Sequence, residues 1–77
     1  MNRCYFCEGP LVEQLTTWVY EDEGRVWIIR NVPTFVCQQC GEKEYSQETT
    51  HRLLSILKQP PRPVELVQVP AYDLAVA

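Results

Sequence analysis

With 77 residues the chain is short for a domain to be stable on its apolar core alone, so a metal, a disulfide set or a partner is expected to staple it. Its hydrophobic residues (45%) are at the ordinary globular level, and no apolar run approaches the ~20 residues that span a membrane. A formal net charge of −3 argues against affinity for a nucleic-acid backbone, which needs clustered Lys and Arg, and favours a basic protein partner.

The chain opens Met1-Asn2-Arg3-Cys4, which leaves no room for a signal peptide before the first cysteine, so a cytoplasmic location is expected. Reduced thiols there favour metal over disulfide. Cys4-Tyr5-Phe6-Cys7 is the first of two Cys-x2-Cys pairs, followed by Glu8-Gly9-Pro10, where Gly9 is the residue expected to take a positive φ and turn backbone N–H groups toward sulfur. Residues 11–20 read as a strand, with Leu11, Leu15 and Val19 on one parity and Trp18 and Tyr20 on the other. Glu21-Asp22-Glu23-Gly24 is read as a polar hairpin loop.

Arg25–Arg30 is the return strand, with Val26 and Ile28 on one side and Trp27 and Ile29 on the other. Both faces are apolar at mid-hairpin, so one cover is expected from the chain's own helix and another from a partner chain or none. Asn31-Val32-Pro33 is expected to end this strand, because proline cannot donate to a ladder. Thr34-Phe35-Val36 is then a third short strand leading into Cys37-Gln38-Gln39-Cys40-Gly41-Glu42, the second cysteine pair. Lys43–Tyr45 is a brief extended piece. Ser46 is a good N-cap, with Gln47 and Glu48 in the first turn of a helix reaching Lys58. Its apolar stripe is read as Thr50, Leu53, Leu54 and Leu57, with Ile56 on the flank.

Pro60-Pro61 stops the helix, Gln59–Pro63 is expected to run as polyproline II, and Val64–Val69 returns to strand character. The reading divides the chain into a zinc-binding domain, 1–58, and a Pro-rich linker with a strand-like tail, 59–77. The fold class expected is a small α+β, zinc-ribbon-like domain: an antiparallel hairpin or three-stranded sheet, two cysteine knuckles, one helix in the C-terminal half and an extended tail strand.

Two Cys-x2-Cys pairs separated by positions 8–36, a gap of 29 residues, are a strong signal for one S4 metal site with Cys4, Cys7, Cys37 and Cys40 as ligands. Four sulfurs suit Zn2+ or iron and leave no open position, so one zinc with a structural role is expected. Two disulfides, or redox dithiols of the thioredoxin type, are the competing reading, but the latter need a βαβ context that is missing. The gap also resembles that of rubredoxins, which hold iron for electron transfer; here, however, Cys7 continues as Glu8-Gly9 and no proline follows Cys37. His51, the only histidine, is read as a surface or packing residue on the helix. No Ser/His/Asp or Cys/His set remains once the cysteines are committed, so no enzyme is expected. Glu21, Asp22 and Glu23 are read as a solvated turn or as a surface that meets a basic partner.

The stretch Ile29-Arg30-Asn31-Val32-Pro33-Thr34-Phe35-Val36-Cys37-Gln38-Gln39-Cys40-Gly41-Glu42, followed by Tyr45-Ser46, resembles the YgiT-type zinc finger, the N-terminal domain of the MqsA antitoxin family. Cys4-Tyr5-Phe6-Cys7-Glu8-Gly9 and the tail Val67-Gln68-Val69-Pro70-Ala71-Tyr72 are similar to the start of that family and to the tail of its short members. The likeness covers residues 3–58 and, more loosely, the tail. It implies zinc on the four cysteines and an antitoxin that binds and neutralises a ribonuclease-type toxin. Two-domain members add a helix-turn-helix that binds the operator and forms the dimer; the 77 residues hold none, so direct DNA binding and that mode of dimerisation are not expected. The surface expected to meet the toxin comprises Trp18, Tyr20, Glu21, Asp22, Glu23, Trp27, Val64, Leu66, Val67 and Val69, by strand addition at the tail or a hairpin edge. A homodimer through the same elements is the alternative use of them. Competing functions are a zinc-ribbon regulator that binds nucleic acid and a rubredoxin-like electron carrier.

Overall fold

A computed structural model of the chain describes residues 3–76; Met1, Asn2 and Ala77, the outer residues of the spans 1–58 and 59–77, lie outside them. Two long strands dominate, β1 (Leu11–Asp22) and β2 (Arg25–Cys37), paired antiparallel. Glu23 and Gly24 join them with φ of 50° and 81°. Two successive positive φ values are the signature of a type I′ turn, whose twist matches that of the flanking strands. The loop is therefore two residues long rather than the four expected: Glu21 and Asp22 continue β1 and pair with Val26 and Arg25.

Asn31-Val32-Pro33 does not end β2. The register passes from Thr16↔Val32 to Trp18↔Ile29, so Thr17 alone faces Arg30 and Asn31. This is a β-bulge, and Asn31 absorbs it at φ 58°, a conformation asparagine tolerates better than most residues. Pro33 stays in the strand opposite Leu15. Beyond it β2 pairs with β3 (Lys43–Glu44) only through Phe35 and Val36, so at Pro33 the strand is an edge, one of the places proline is admitted. The expected separate strand at 34–36 is thus the end of β2, and the third strand of the sheet, ordered β1-β2-β3, is Lys43–Glu44.

The bulge also resets which residues share a face. Directly opposed residues lie on one side of a sheet. One face carries Thr16, Trp18 and Tyr20 with Val32, Ile29 and Trp27; the other carries Leu15 and Val19 with Pro33 and Ile28. Trp18 and Tyr20, two apart on β1, stack with ring centroids 5.2 Å apart and planes 8° apart.

Helix α1 (Gln47–Lys58) starts where its sequence says it should: Ser46 Oγ accepts the Thr49 N–H at 3.0 Å. Thr49 and Leu53 are its buried residues, and with Ile56 they bound a small cavity of ≈ 150 Å³ against Ile29 and Val32. The expected stripe is therefore displaced: Thr49 takes the place read for Thr50, and Leu54 is 49% exposed. The helix leans on the Val32 face of β2. Val32, Leu53, Thr34 and Thr49 with Cys4 and Cys37 make up the buried core. Thr34 donates to the Val32 carbonyl at 2.8 Å, so the 2.6 Å contact with Thr16 Oγ1 is donated by Thr16 and the buried hydroxyl is satisfied.

Among the described residues, Gln59–Val76 contains no strand. The expected tail strand at Val64–Val69 is corrected: the segment lies beside β2, with Glu65 2.6 Å from the Arg30 guanidinium, but no backbone hydrogen bond joins the two. Pro63 and Pro70 bracket it and remove two donors.

Candidate metal centre

The two cysteine pairs fold into turns of the same design. In the first, Cys4 N–H donates to the Gly9 carbonyl (2.9 Å) and Glu8 N–H to the Cys4 carbonyl (3.0 Å). In the second, Cys37 N–H donates to the Glu42 carbonyl (2.8 Å) and Gly41 N–H to the Cys37 carbonyl (3.0 Å). The residue after the second cysteine reverses the chain in each, Glu8 at φ 62° and Gly41 at φ 80°. The positive φ expected at Gly9 therefore falls on Glu8. Gly9 is required for a different reason. A Cβ there would lie 2.7 Å from the Gln39 Cβ, 3.0 Å from Cys37 Sγ and 3.2 Å from Cys7 Sγ, so only hydrogen fits between the turns.

The four sulfurs all lie within 4.8 Å of one another. Two close approaches run between the turns, Cys7 to Cys37 at 3.3 Å and Cys4 to Cys40 at 3.7 Å. Metal–sulfur bonds of about 2.3 Å in a tetrahedron place sulfurs about 3.8 Å apart, close to these separations. The donor set and its geometry fit a tetrahedral cation. Backbone N–H groups point at the sulfurs: Phe6 at Cys4 (3.3 Å), Gly9 at Cys7 (3.4 Å), and Gln39 and Cys40 at Cys37 (3.4 Å each). Such donors favour thiolate over thiol.

The sulfurs also act on one another. The Cys40 N–H is the largest influence on Cys37; with the Gln39 N–H and the neighbouring thiols it outweighs burial and brings Cys37 down to about 6. For Cys40 the Glu42 N–H pulls the other way, but Cys7, burial, Cys37 and Cys4 together push it up to about 12. Cys7 is lowered by the Gly9 N–H yet ends raised by Cys37 and burial. One thiolate thus opposes the next, and a divalent cation removes that opposition. Cys4, Cys7, Cys37 and Cys40 are the residues that would hold the metal. Cys4 and Cys37 are buried and Cys40 is exposed, so the cage is sealed toward the core and meets solvent at one corner.

Two further residues brace the site, and neither is marked in the sequence. Glu44 Oε2 accepts the Tyr5 N–H at 2.8 Å, tying β3 to the first turn across 39 positions, while its buried Oε1 has no partner. Arg3 donates to the Glu8 carbonyl at 3.0 Å.

The residues expected on a partner surface group around Trp27, which lines one cleft with Leu66, Val67 and Val69 and another with Tyr20, Asp22 and Glu23. Trp18 and Trp27 are half-buried on the helix side, and the Arg25 guanidinium lies 4.6 Å above the Trp27 ring. Tyr20 and the acidic Glu21, Asp22 and Glu23 are exposed at the hairpin end, and Val64, Leu66, Val67 and Val69 are exposed along the tail. His51 is exposed, away from the sulfur cluster. The exposed knuckle pair Tyr5 and Phe6, packed edge to face at 5.3 Å, was not singled out by the sequence reading.

Compared with known proteins, the chain matches no family model, no curated protein and no solved structure. Fold and site define a small α+β domain with a three-stranded antiparallel sheet, one helix and four cysteines placed to bind a metal ion. No helix among the described residues is long and apolar enough to cross a membrane.

Proposed function

We propose that the chain is an antitoxin-type zinc-finger protein that binds and neutralises a ribonuclease-type toxin, with one structural Zn2+ on Cys4, Cys7, Cys37 and Cys40. The observation that carries this reading is the division of the surface. The metal site is closed by four sulfurs, while the hairpin outside it exposes Leu15 (66%), Val19 (63%) and Val26 (61%) next to Glu21, Asp22 and Glu23. An apolar surface with an acidic border is suited to docking on a basic protein. The stretch Asn31–Glu42 that resembles the YgiT-type finger supports the same reading through its residues. Asn31 is the bulge, Cys37 and Cys40 are two of the four cysteines placed to bind a metal ion, and Gly41 is the reversal after the last one.

The test is functional. Cells expressing the product of the neighbouring reading frame should arrest growth with loss of messenger RNA, and co-expression of this chain should restore growth. Growth that stays arrested with both proteins present contradicts the proposal.

One feature favours a second reading. Tyr5 (84% exposed) and Phe6 (68% exposed) stand out from a metal knuckle, the kind of aromatic platform on which unpaired bases stack. The Glu44 carboxylate lies against the Tyr5 backbone and the chain carries a net charge of −3, which makes a nucleic-acid role the weaker one.

A further inference from the structure

β2 has one partner along most of its length. From Val26 to Asn31 its second edge meets no strand among the described residues, and its backbone groups on that side are open to pairing. The tail runs beside this edge in the opposite direction: Pro63, Glu65 and Val67 lie by Ile28 and Arg30, and Val69 to Ala71 by Val26 and Trp27. The clefts between them measure ≈ 390 and ≈ 660 Å³, within the range of ligand pockets, about 300–1,000 Å³. Among the described residues, the Arg30–Glu65 ion pair is the one polar tie across the gap.

The walls are apolar and uncovered. Val26 is 61% exposed, Val64 96%, Leu66 89% and Val69 64%. The chain exposes 6738 Å², against about 4,900 Å² for a compact monomer of its 9.0 kDa mass. The surplus exceeds the roughly 800 Å² that one partner contributes to a standard interface. The charge at the hairpin end is net acidic, three carboxylates against the one guanidinium of Arg25. Glu21, Asp22 and Glu23 have no ion-pair partner among the described residues, and Arg25, the one cation beside them, is engaged with Trp27. Two copies brought together here would add like charge to like.

We propose that the slot between the β2 edge and the tail is a strand-acceptor site for an extended segment of a basic protein, with alternating apolar side chains and a Lys or Arg at the hairpin end. The segment would add to Val26–Asn31 through backbone hydrogen bonds, set its apolar side chains against Ile28 and Val67, and meet Glu21 and Glu23 with its cation. The tail then closes over it, held at the far end by Arg30 and Glu65. The site rests on the antitoxin reading only in taking the partner to be a basic protein.

The experiment uses the zinc-loaded full chain and a synthetic peptide of alternating Lys and Val, with a Glu/Val peptide as control, followed residue by residue through backbone amide NMR shifts. The expected result is saturable binding of the Lys/Val peptide, with shifts confined to Glu21–Asn31 and Val64–Val69. The Glu/Val peptide should leave the spectrum unchanged, and the double variant Glu21→Lys/Glu23→Lys should weaken binding at least about tenfold. Shifts centred on Tyr5 and Phe6 or on α1, equal binding of both peptides, or no binding overturn the proposal. So do concentration-dependent shifts at β2 without peptide, which would make the slot an interface between copies of this chain. A slot that takes the peptide while growth arrest goes unrelieved removes the antitoxin reading and leaves the site; relief of arrest with no peptide bound does the reverse.

Discussion

Gly9 and Gln39 meet across the metal site so closely that a methyl group on Gly9 would stand 2.7 Å from the Gln39 Cβ. The same methyl would lie 3.0 Å from Cys37 Sγ, so relief by moving Gln39 alone is incomplete. Overpacking of this kind costs about 1–3 kcal/mol. Because metal affinity and folding are one equilibrium in such a site, Gly9→Ala should weaken zinc binding by about tenfold or more. Competition with a chromophoric chelator reads this directly. Unchanged affinity would mean that the two turns are further apart than described.

The positive φ residues differ in how well they suit their positions. Gly41 at φ 80° is at ease, whereas Glu8 at φ 62° carries a side chain into the left-handed region. Gly41→Ala should destabilise by about 1–2 kcal/mol, the penalty of a Cβ in that region. Glu8→Gly should be neutral or stabilising by a few tenths, since relief of strain is offset by the flexibility glycine adds to the unfolded chain. At the bulge, Asn31→Gly should be tolerated and Asn31→Val should cost more than about 1 kcal/mol. Denaturant midpoints of the zinc-loaded variants rank these; a harmless Asn31→Val would place the bulge elsewhere.

Glu44 links the third strand to the first cysteine turn through the Tyr5 N–H. Glu44→Ala should cost about 1 kcal/mol, as for one lost hydrogen bond. Glu44→Gln keeps an acceptor for that N–H and should hold most of the stability. Thermal unfolding of the two variants with zinc bound distinguishes them, and equal losses would show that the charge rather than the bond matters.

Much of this was open to reading from the sequence, and what was not has identifiable causes. Local chemistry gave away its position: the Ser46 cap, the cysteine pairs and the alternation of Trp18 and Tyr20 all stand where expected. Asn31-Val32-Pro33 was read as a stop because proline lacks a donor, yet a bulge and an open edge admit it. The bulge changes the parity of β2, so the strand could not be followed by alternation through Asn31. Glu44 and Gln39 act on residues far off in the chain, and no local pattern marks them. The tail has strand composition at Val64–Val69 but pairs with no strand among the described residues, since composition reports propensity and not the presence of a neighbour.

Acid should release the metal. Bound thiolates have their folded-state pKa depressed far below the unfolded value of about 8.5. The stability they contribute is therefore fully present above that value and is lost as pH falls through the folded pKa. Without metal, Cys40 is pushed up to about 12 and Cys7 is raised, so both are protonated at neutral pH. Zinc added to a lightly buffered solution at neutral pH should then acidify it, and apparent affinity should rise from pH 6 to pH 8. Affinity independent of pH over that window would count against thiolate ligation.

If one zinc ion on the four cysteines staples the fold, metal and structure should be lost together. Native mass spectrometry of the purified chain, paired with circular dichroism before and after a strong chelator, reads both. The expected result is one zinc ion per chain, bound without iron, and loss of the β-sheet signal when the metal is withdrawn, with the same loss in Cys40→Ser. A metal-free chain that keeps its signal, or a coloured chain carrying iron, would contradict it.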